Sequence, residues 1–153
     1  MANTLTSTQV ARVVAGTDGP SALQLPRVNA VHVKFTASGS SISADTVVQM
    51  VAVPTGARVL DGMVWRTDTA AVDNTAFGVG DGSLTNRFVA SGAFSITTGV
   101  MIQRFNAGVP YTYSTSVSLE SRGFDTIDFN VGATSSCVTI DLHMSVWYSM
   151  ELS

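Results

Sequence analysis

Residues 138 to 150, VTIDLHMSVWYSM, alternate without a break. Val138, Ile140, Leu142, Met144, Val146, Tyr148 and Met150 fall on one parity, and Thr139, Asp141, His143, Ser145, Trp147 and Ser149 on the other. Successive side chains of a β-strand point to opposite faces, so the pattern predicts one long strand with a continuous apolar face and a polar one. A helix would scatter those apolar residues around its circumference. The chain must therefore build a sheet against which this face can be buried. TIDFNV (126–131) repeats the pattern with Ile127, Phe129 and Val131 inward, and the short connection from Gly132 to Cys137 is rich in small residues. Together the two segments predict a hairpin.

Upstream, Val31, Val33 and Phe35 alternate with His32 and Lys34, and TVVQMVAV (46–53) is apolar on both faces, as a central covered strand should be. Pro54, Thr55 and Gly56 close it with a turn. ARVLDGMVWRT, AFGV, RFVA, VMIQRF and a YTYS/SVSL segment continue the strand pattern. The expected strands lie near 28–35, 46–53, 58–66, 76–80, 87–92, 100–106, 116–119, 126–131 and 138–149. No stretch carries a capped 3.6-residue period; at most 83–88 makes one helical turn, with Leu84 over Phe88. The expectation is an all-β fold, an antiparallel β-sandwich or jelly-roll-like domain over 28–153, preceded by an N-terminal extended arm or edge segment over 1–27. That first segment has weak alternation and is broken by Pro20 and Pro26.

Charge narrows the partners. Only 12% of residues are charged, about half the usual share, and roughly a quarter of the chain is Ser or Thr. A polar but scarcely charged surface lacks the repulsion that keeps copies apart, which suits a protein covered by neighbours. The net charge is −3, Lys34 is the only lysine, and the seven arginines are scattered from Arg12 to Arg122. No basic run exists to displace counterions from a phosphate backbone, so nucleic acid is not an expected partner. Cys137 is the single cysteine, so no disulfide forms within the chain. The N-terminus does not read as a secretory signal, and no apolar run suits a membrane span. Synthesis in the cytoplasm and no membrane partner are expected.

FGVGDGSLTNRFVA (77–90) invites a chemical reading. It has no lysine for a phosphate loop, its glycine spacing is wrong for a dinucleotide fingerprint, and Asp81 is locally alone as a calcium ligand, with only Asp68 and Asp73 able to approach. The expectation is a turn: Gly78 and Gly80 ease strand packing, and Asp81-Gly82 turns the chain with positive φ. In the predicted hairpin Asp128 faces Asp141, with His143 two residues along, which would be a sparse acidic or metal site. His32 and His143 otherwise read as polar-face residues. No serine sits in a nucleophile elbow, and Cys137 reads as a small semi-buried residue. Trp65 and Trp147 stand where alternation leaves them partly exposed, Trp147 opposite the apolar stripe; a partner or second sheet is the expected cover.

The stretches ADTVVQMVAVPTGARVLDGMVWRTDTA, FGVGDGSLTNRFVASG and FDTIDFNVGA resemble small β-sandwich virion proteins of tailed bacteriophages. The matching turns are Pro54 to Ala57, Val79 to Gly82, Arg87-Phe88 and Asp125 to Asp128. The resemblance covers roughly residues 44 to 150 and carries fold more than role. It implies a structural, non-enzymatic protein located in the virion: a capsid decoration (cement) protein, often trimeric, contacting itself, the major capsid protein or other virion proteins. It implies no catalytic residue, cofactor or metal. The expected contact residues are Leu5, Val10, Val13, Val14, Leu23 and Leu25 of the arm, with Trp147 on the sandwich. The alternative is a tail-fibre or receptor/carbohydrate-binding module stacking sugars on Trp147, Trp65, Tyr111 or Tyr113; a metal-dependent hydrolase ranks third.

Overall fold

The computed structural model describes residues 4–6, 28–67, 77–90, 101–113, 124–132 and 137–150. Every regular element among them is a strand: β1 (Thr4–Thr6), β2 (Val28–Ile42), β3 (Val47–Pro54), β4 (Ala57–Arg66), β5 (Phe77–Gly80), β6 (Met101–Arg104), β7 (Tyr111–Thr112), β8 (Phe124–Val131) and β9 (Cys137–Met150). One sheet runs β1-β3-β8-β5 and the other β2-β9-β4-β6, with β7 also on β4. All pairings are antiparallel except β1 on β3, which is parallel. The protein is a β-sandwich, as the alternation requires.

β9 behaves as its sequence dictates. Ile140, Leu142, Met144 and Val146 are fully buried, and β9 pairs with β2 on one side and β4 on the other. From the facing sheet, Val48, Val51, Val53, Val79, Ile127, Phe129 and Val131 join the same core. Each such aliphatic or aromatic side chain contributes ~1.5–3 kcal/mol of transfer free energy when fully buried.

The predicted β8–β9 hairpin does not form. β8 pairs with β3 and β5, whereas β9 lies in the other sheet. Two strands with one apolar face each can bury those faces by opposing one another across the sandwich, and these do. Consequently Asp128 and Asp141 are not cross-strand partners. Four smaller differences follow. β2 runs on to Ile42, with an irregularity between Ser38 and Ile42. Residues 87–90 make only an isolated bridge, Val79 to Val89, instead of a strand. Residues 83–88 hold no helical turn, and Leu84 is exposed. The short β7 falls in the YTYS part of the YTYS/SVSL segment, ahead of the expected bounds at 116–119. The expected strand at 116–119 falls outside the described residues.

The glycine stretch is a fold-back, built differently from the expectation. Gly82 does not adopt positive φ; among the described residues the positive-φ glycines are Gly56, in the turn after β3, and Gly108. The turn is organised instead by the buried carboxylate of Asp81. Its Oδ1 accepts from Ser83 N (3.1 Å), Ser83 Oγ (2.9 Å) and Leu84 N (2.8 Å), and its Oδ2 accepts from Arg87 Nε at 2.6 Å. The chain then crosses back over β5. A Cβ on Gly80 would lie 2.0 Å from the carbonyl oxygen of Leu84, and one on Gly78 3.0 Å from that of Thr85. Asn130 on β8 clamps the crossing by donating to Thr85 O at 2.8 Å. A comparable fit lies on the facing sheet, where a Cβ on Gly62 would meet the ring of Phe105 at 2.4 Å. Phe105 stacks on Phe88, their centroids 4.9 Å apart.

These contacts separate two glycines that look alike in the sequence. Gly80→Ala is expected to lower stability by about 1–3 kcal/mol or more, because the obstruction is backbone. Gly82→Ala, with nothing within 4 Å of the new carbon, is expected to be neutral or slightly stabilising. Urea unfolding of the two variants checks both; equal losses would show that the fold-back is not the constraint.

Candidate functional site

The second sheet presents its other face outward, and the register assembles that face row by row. Trp65 on β4 sits opposite His143 on β9, which sits opposite Lys34 on β2; Ile102 on β6 extends the row beyond Trp65. The next row holds Arg104, Met63, Ser145 and His32, and the one after it Asp61, Trp147 and Ala30. The arrangement is largely apolar and aromatic. Ile102 and Val28 are each 62% exposed, large values for aliphatic side chains. Trp65, Met63, His143 and Trp147 are half-buried.

At the centre lie three rings. The centroids of His32 and Trp65 are 5.1 Å apart, those of Trp65 and His143 5.3 Å, and those of His32 and His143 5.5 Å, with planes within 20° of one another. Three nearly equal separations make a triangle and not a column, so each ring packs against the other two. Hydroxyls fix the two imidazoles from outside: His32 Nδ1 meets Ser145 Oγ at 3.1 Å, and His143 Nε2 meets Thr67 Oγ1 at 3.4 Å. Burial, His32 and Lys34 push the pKa of His143 down, against the opposing pull of Asp141. The charges around the rings are paired within the face. Asp141 accepts from Thr36 Oγ1 at 2.6 Å and pairs with Lys34 Nζ at 3.2 Å, and Arg104 pairs with Asp61.

The sequence reading placed His32, His143 and Trp147 on a polar outer face, and the structure agrees. It did not bring Trp65 and the histidines together, because their proximity depends on which strands flank β9. Of the candidate contact residues, only Trp147 lies on described side-chain structure. Leu5 belongs to β1, while Val10, Val13, Val14, Leu23 and Leu25 fall outside the described residues. Two proposed sugar platforms fail. Tyr113 is buried in the core, and Tyr111 has the Arg87 guanidinium 4.0 Å from its ring centroid and ring contacts to Phe88 and Tyr113. Both oxygens of Asp81 serve the protein, and Asp68 and Asp73, the other candidate calcium ligands, lie outside the described residues. Among the described residues no group of three or more His, Cys, Asp or Glu is placed to hold a metal ion, and Cys137 is described only in its backbone.

The first sheet carries a different polar feature. Asp125 and Asp128 on β8 are both about 3% exposed, and Asp125 Oδ2 and Asp128 Oδ1 accept no hydrogen bond among the described groups. Burial pushes the carboxyl of Asp128 up to about 7, assisted by Asp125 and Asp81 and opposed by a hydrogen bond with Thr126. Burial also raises Asp125.

No protein-family model matches the chain, and no curated protein does. Solved structures do share its fold. A chain in the capsid of Ralstonia phage GP4 superposes with a TM-score of 0.68 at 13% identity, covering 98% of this chain and 99% of that one. A chain in the cyanophage Pam1 capsid asymmetric unit gives 0.63 at 15% identity, over 88% and 96%. The protein therefore has the β-sandwich fold of chains found in two bacteriophage capsids.

The raised carboxyl of Asp128 sets a pH dependence. Its folded pKa lies above the 3.8 of the free side chain, so its contribution is fully present below about pH 4 and is lost as pH rises to about 7. The stability of wild type relative to Asp128→Asn is expected to fall over that window, by on the order of 4 kcal/mol between its limits. Denaturant titrations at several pH values check it; a constant difference would mean that Asp128 titrates normally.

Proposed function

We propose that the protein is a non-enzymatic structural component of a bacteriophage virion, and specifically a capsid decoration (cement) protein that stabilises the head. The carrying observation is the match to the GP4 capsid chain over 98% of this chain and 99% of that one. Two phage capsids holding this sandwich support the setting, and the outer face of the second sheet supports the mode of action. A capsid contact needs complementary area with few unpaired charges. This face offers Trp65, Met63, Trp147, Ile102 and Val28, and its ionic groups Lys34, Asp141, Arg104 and Asp61 are already paired. Half-exposed tryptophans are the side chains that most often anchor such contacts.

The reading includes a homotrimer and an arm over residues 1–27 that reaches a sister subunit or the shell. β1 adds its three residues in parallel to the edge of β3, which supports a segment suited to extending a sheet. Leu5, Val10, Val13, Val14, Leu23 and Leu25 would each contribute ~1–3 kcal/mol if covered by a neighbour.

Placement in the virion is tested by a cryo-electron microscopy map of the phage particle that encodes this chain. Density for the sandwich on the outside of the head is expected; density confined to the tail or fibre would replace the decoration role, and absence from the particle would end the virion reading. In solution, light scattering at micromolar concentration is expected to give a trimer. Deleting residues 1–25 should leave a folded sandwich with a small loss of Tm and much weaker binding to purified heads or sister subunits. A truncated chain that fails to fold would make the segment part of the core, and one that binds at full strength would move the contact to the face around Trp147.

A further inference from the structure

The two imidazoles on the outer face meet in a way that a hydrogen bond between them serves poorly. The register sets His32 and His143 diagonally across β2 and β9. His32 Nε2 and His143 Nδ1 are 3.5 Å apart while the ring centroids are 5.5 Å apart, so these nitrogens occupy facing edges of the rings. An N–H···N bond is long at that distance. Each ring has its other nitrogen on a hydroxyl, Ser145 Oγ for His32 and Thr67 Oγ1 for His143. In the tautomers that donate to those hydroxyls, the facing nitrogens are both lone pairs directed at one another. In the other tautomer of His143 a proton joins the two nitrogens in a long N–H···N hydrogen bond; in these tautomers a metal ion can take its place. Nitrogens bound to one tetrahedral ion at about 2.0–2.1 Å are themselves about 3.4 Å apart, close to the separation observed.

We propose that His32 Nε2 and His143 Nδ1 form a two-histidine site for a divalent transition metal ion of the Zn2+, Ni2+ or Cu2+ class, with water in the remaining positions. The observed outer contacts are those a metal-binding histidine uses: a partner on the second nitrogen fixes tautomer and ring orientation. Trp65 packs beside both rings and restrains them. The nearest carboxylate, Asp141, is held by Thr36 and Lys34 and supplies no ligand. Imidazole pairs favour Cu2+ over Zn2+ and Ni2+. The site stands on this geometry and is independent of a role in the virion.

The test uses the untagged full chain with Cys137→Ser, which removes the thiol as a competing ligand. Calorimetric titration with Zn2+ or Cu2+ at pH 7.5 is expected to give one ion per chain, and Cu2+ is expected to quench the fluorescence of Trp65. His32→Asn and His143→Asn should each weaken binding at least tenfold while leaving the circular dichroism spectrum unchanged. Trp65→Phe should keep the heat of binding and lose most of the quenching. No saturable binding, or equal binding in either histidine variant, would overturn the proposal.

Discussion

The structure depends on the two-sided pairing of β9. A strand fourteen residues long with one apolar face cannot stand at an edge without exposing that face or its backbone groups. Here β2 and β4 satisfy its backbone on both sides, and Ile140, Leu142, Met144 and Val146 are buried against the other sheet. That single placement determines much else. It makes β2 and β4 near neighbours although they are distant in sequence, and it gives the sandwich a continuous inner wall. It also forces the opposite parity, from Asp141 to Ser149, onto the outer face.

What was legible in the sequence follows from the same physics. Alternation is a local property, so β3, β4, β8 and β9 could be read directly from Val48 to Val53, Val59 to Val64, Ile127 to Val131 and Ile140 to Val146. Partner choice is not local. The patterns of β8 and β9 are equally satisfied by lying side by side or by facing each other, and only the competition from β2, β3, β4 and β5 decides. The hairpin expectation failed for that reason, and the supposed meeting of Asp128 with Asp141 failed with it. The sequence did place the histidines and Trp147 on an outward face, because parity alone settles that. It left the triangle of His32, Trp65 and His143 hidden, because three strands must be ordered before those rings meet.

The fold-back after β5 is a second case in which residue type was informative and mechanism was not. Glycine at 78 and 80 signals close approach, and the approach is real. The turn itself could have been made by a positive φ at Gly82 or by a carboxylate gathering amides, and both satisfy the chain locally. The buried Asp81 chose the second route. Its pairing with Arg87 neutralises a charge that would otherwise be costly to bury, and Arg87 in turn lies over Tyr111. A motif that resembles a ligand loop is thus consumed by its own architecture: the donors a phosphate would need and the oxygens a calcium ion would need are already engaged.

The outer face is where both proposals meet, and they constrain one another. An ion held by two imidazoles keeps open positions, whereas a face pressed against a capsid or a sister subunit excludes the water that fills them. Covering this face would therefore either expel the ion or supply it with another ligand, and the two outcomes have opposite signs. Expulsion makes metal and partner compete; a shared ligand makes each strengthen the other, by the same factor in both directions. The pairing of Lys34 with Asp141 and of Arg104 with Asp61 leaves the face close to neutral. A partner that adds an imidazole or carboxylate to the ion would satisfy both the open coordination and the paired charge.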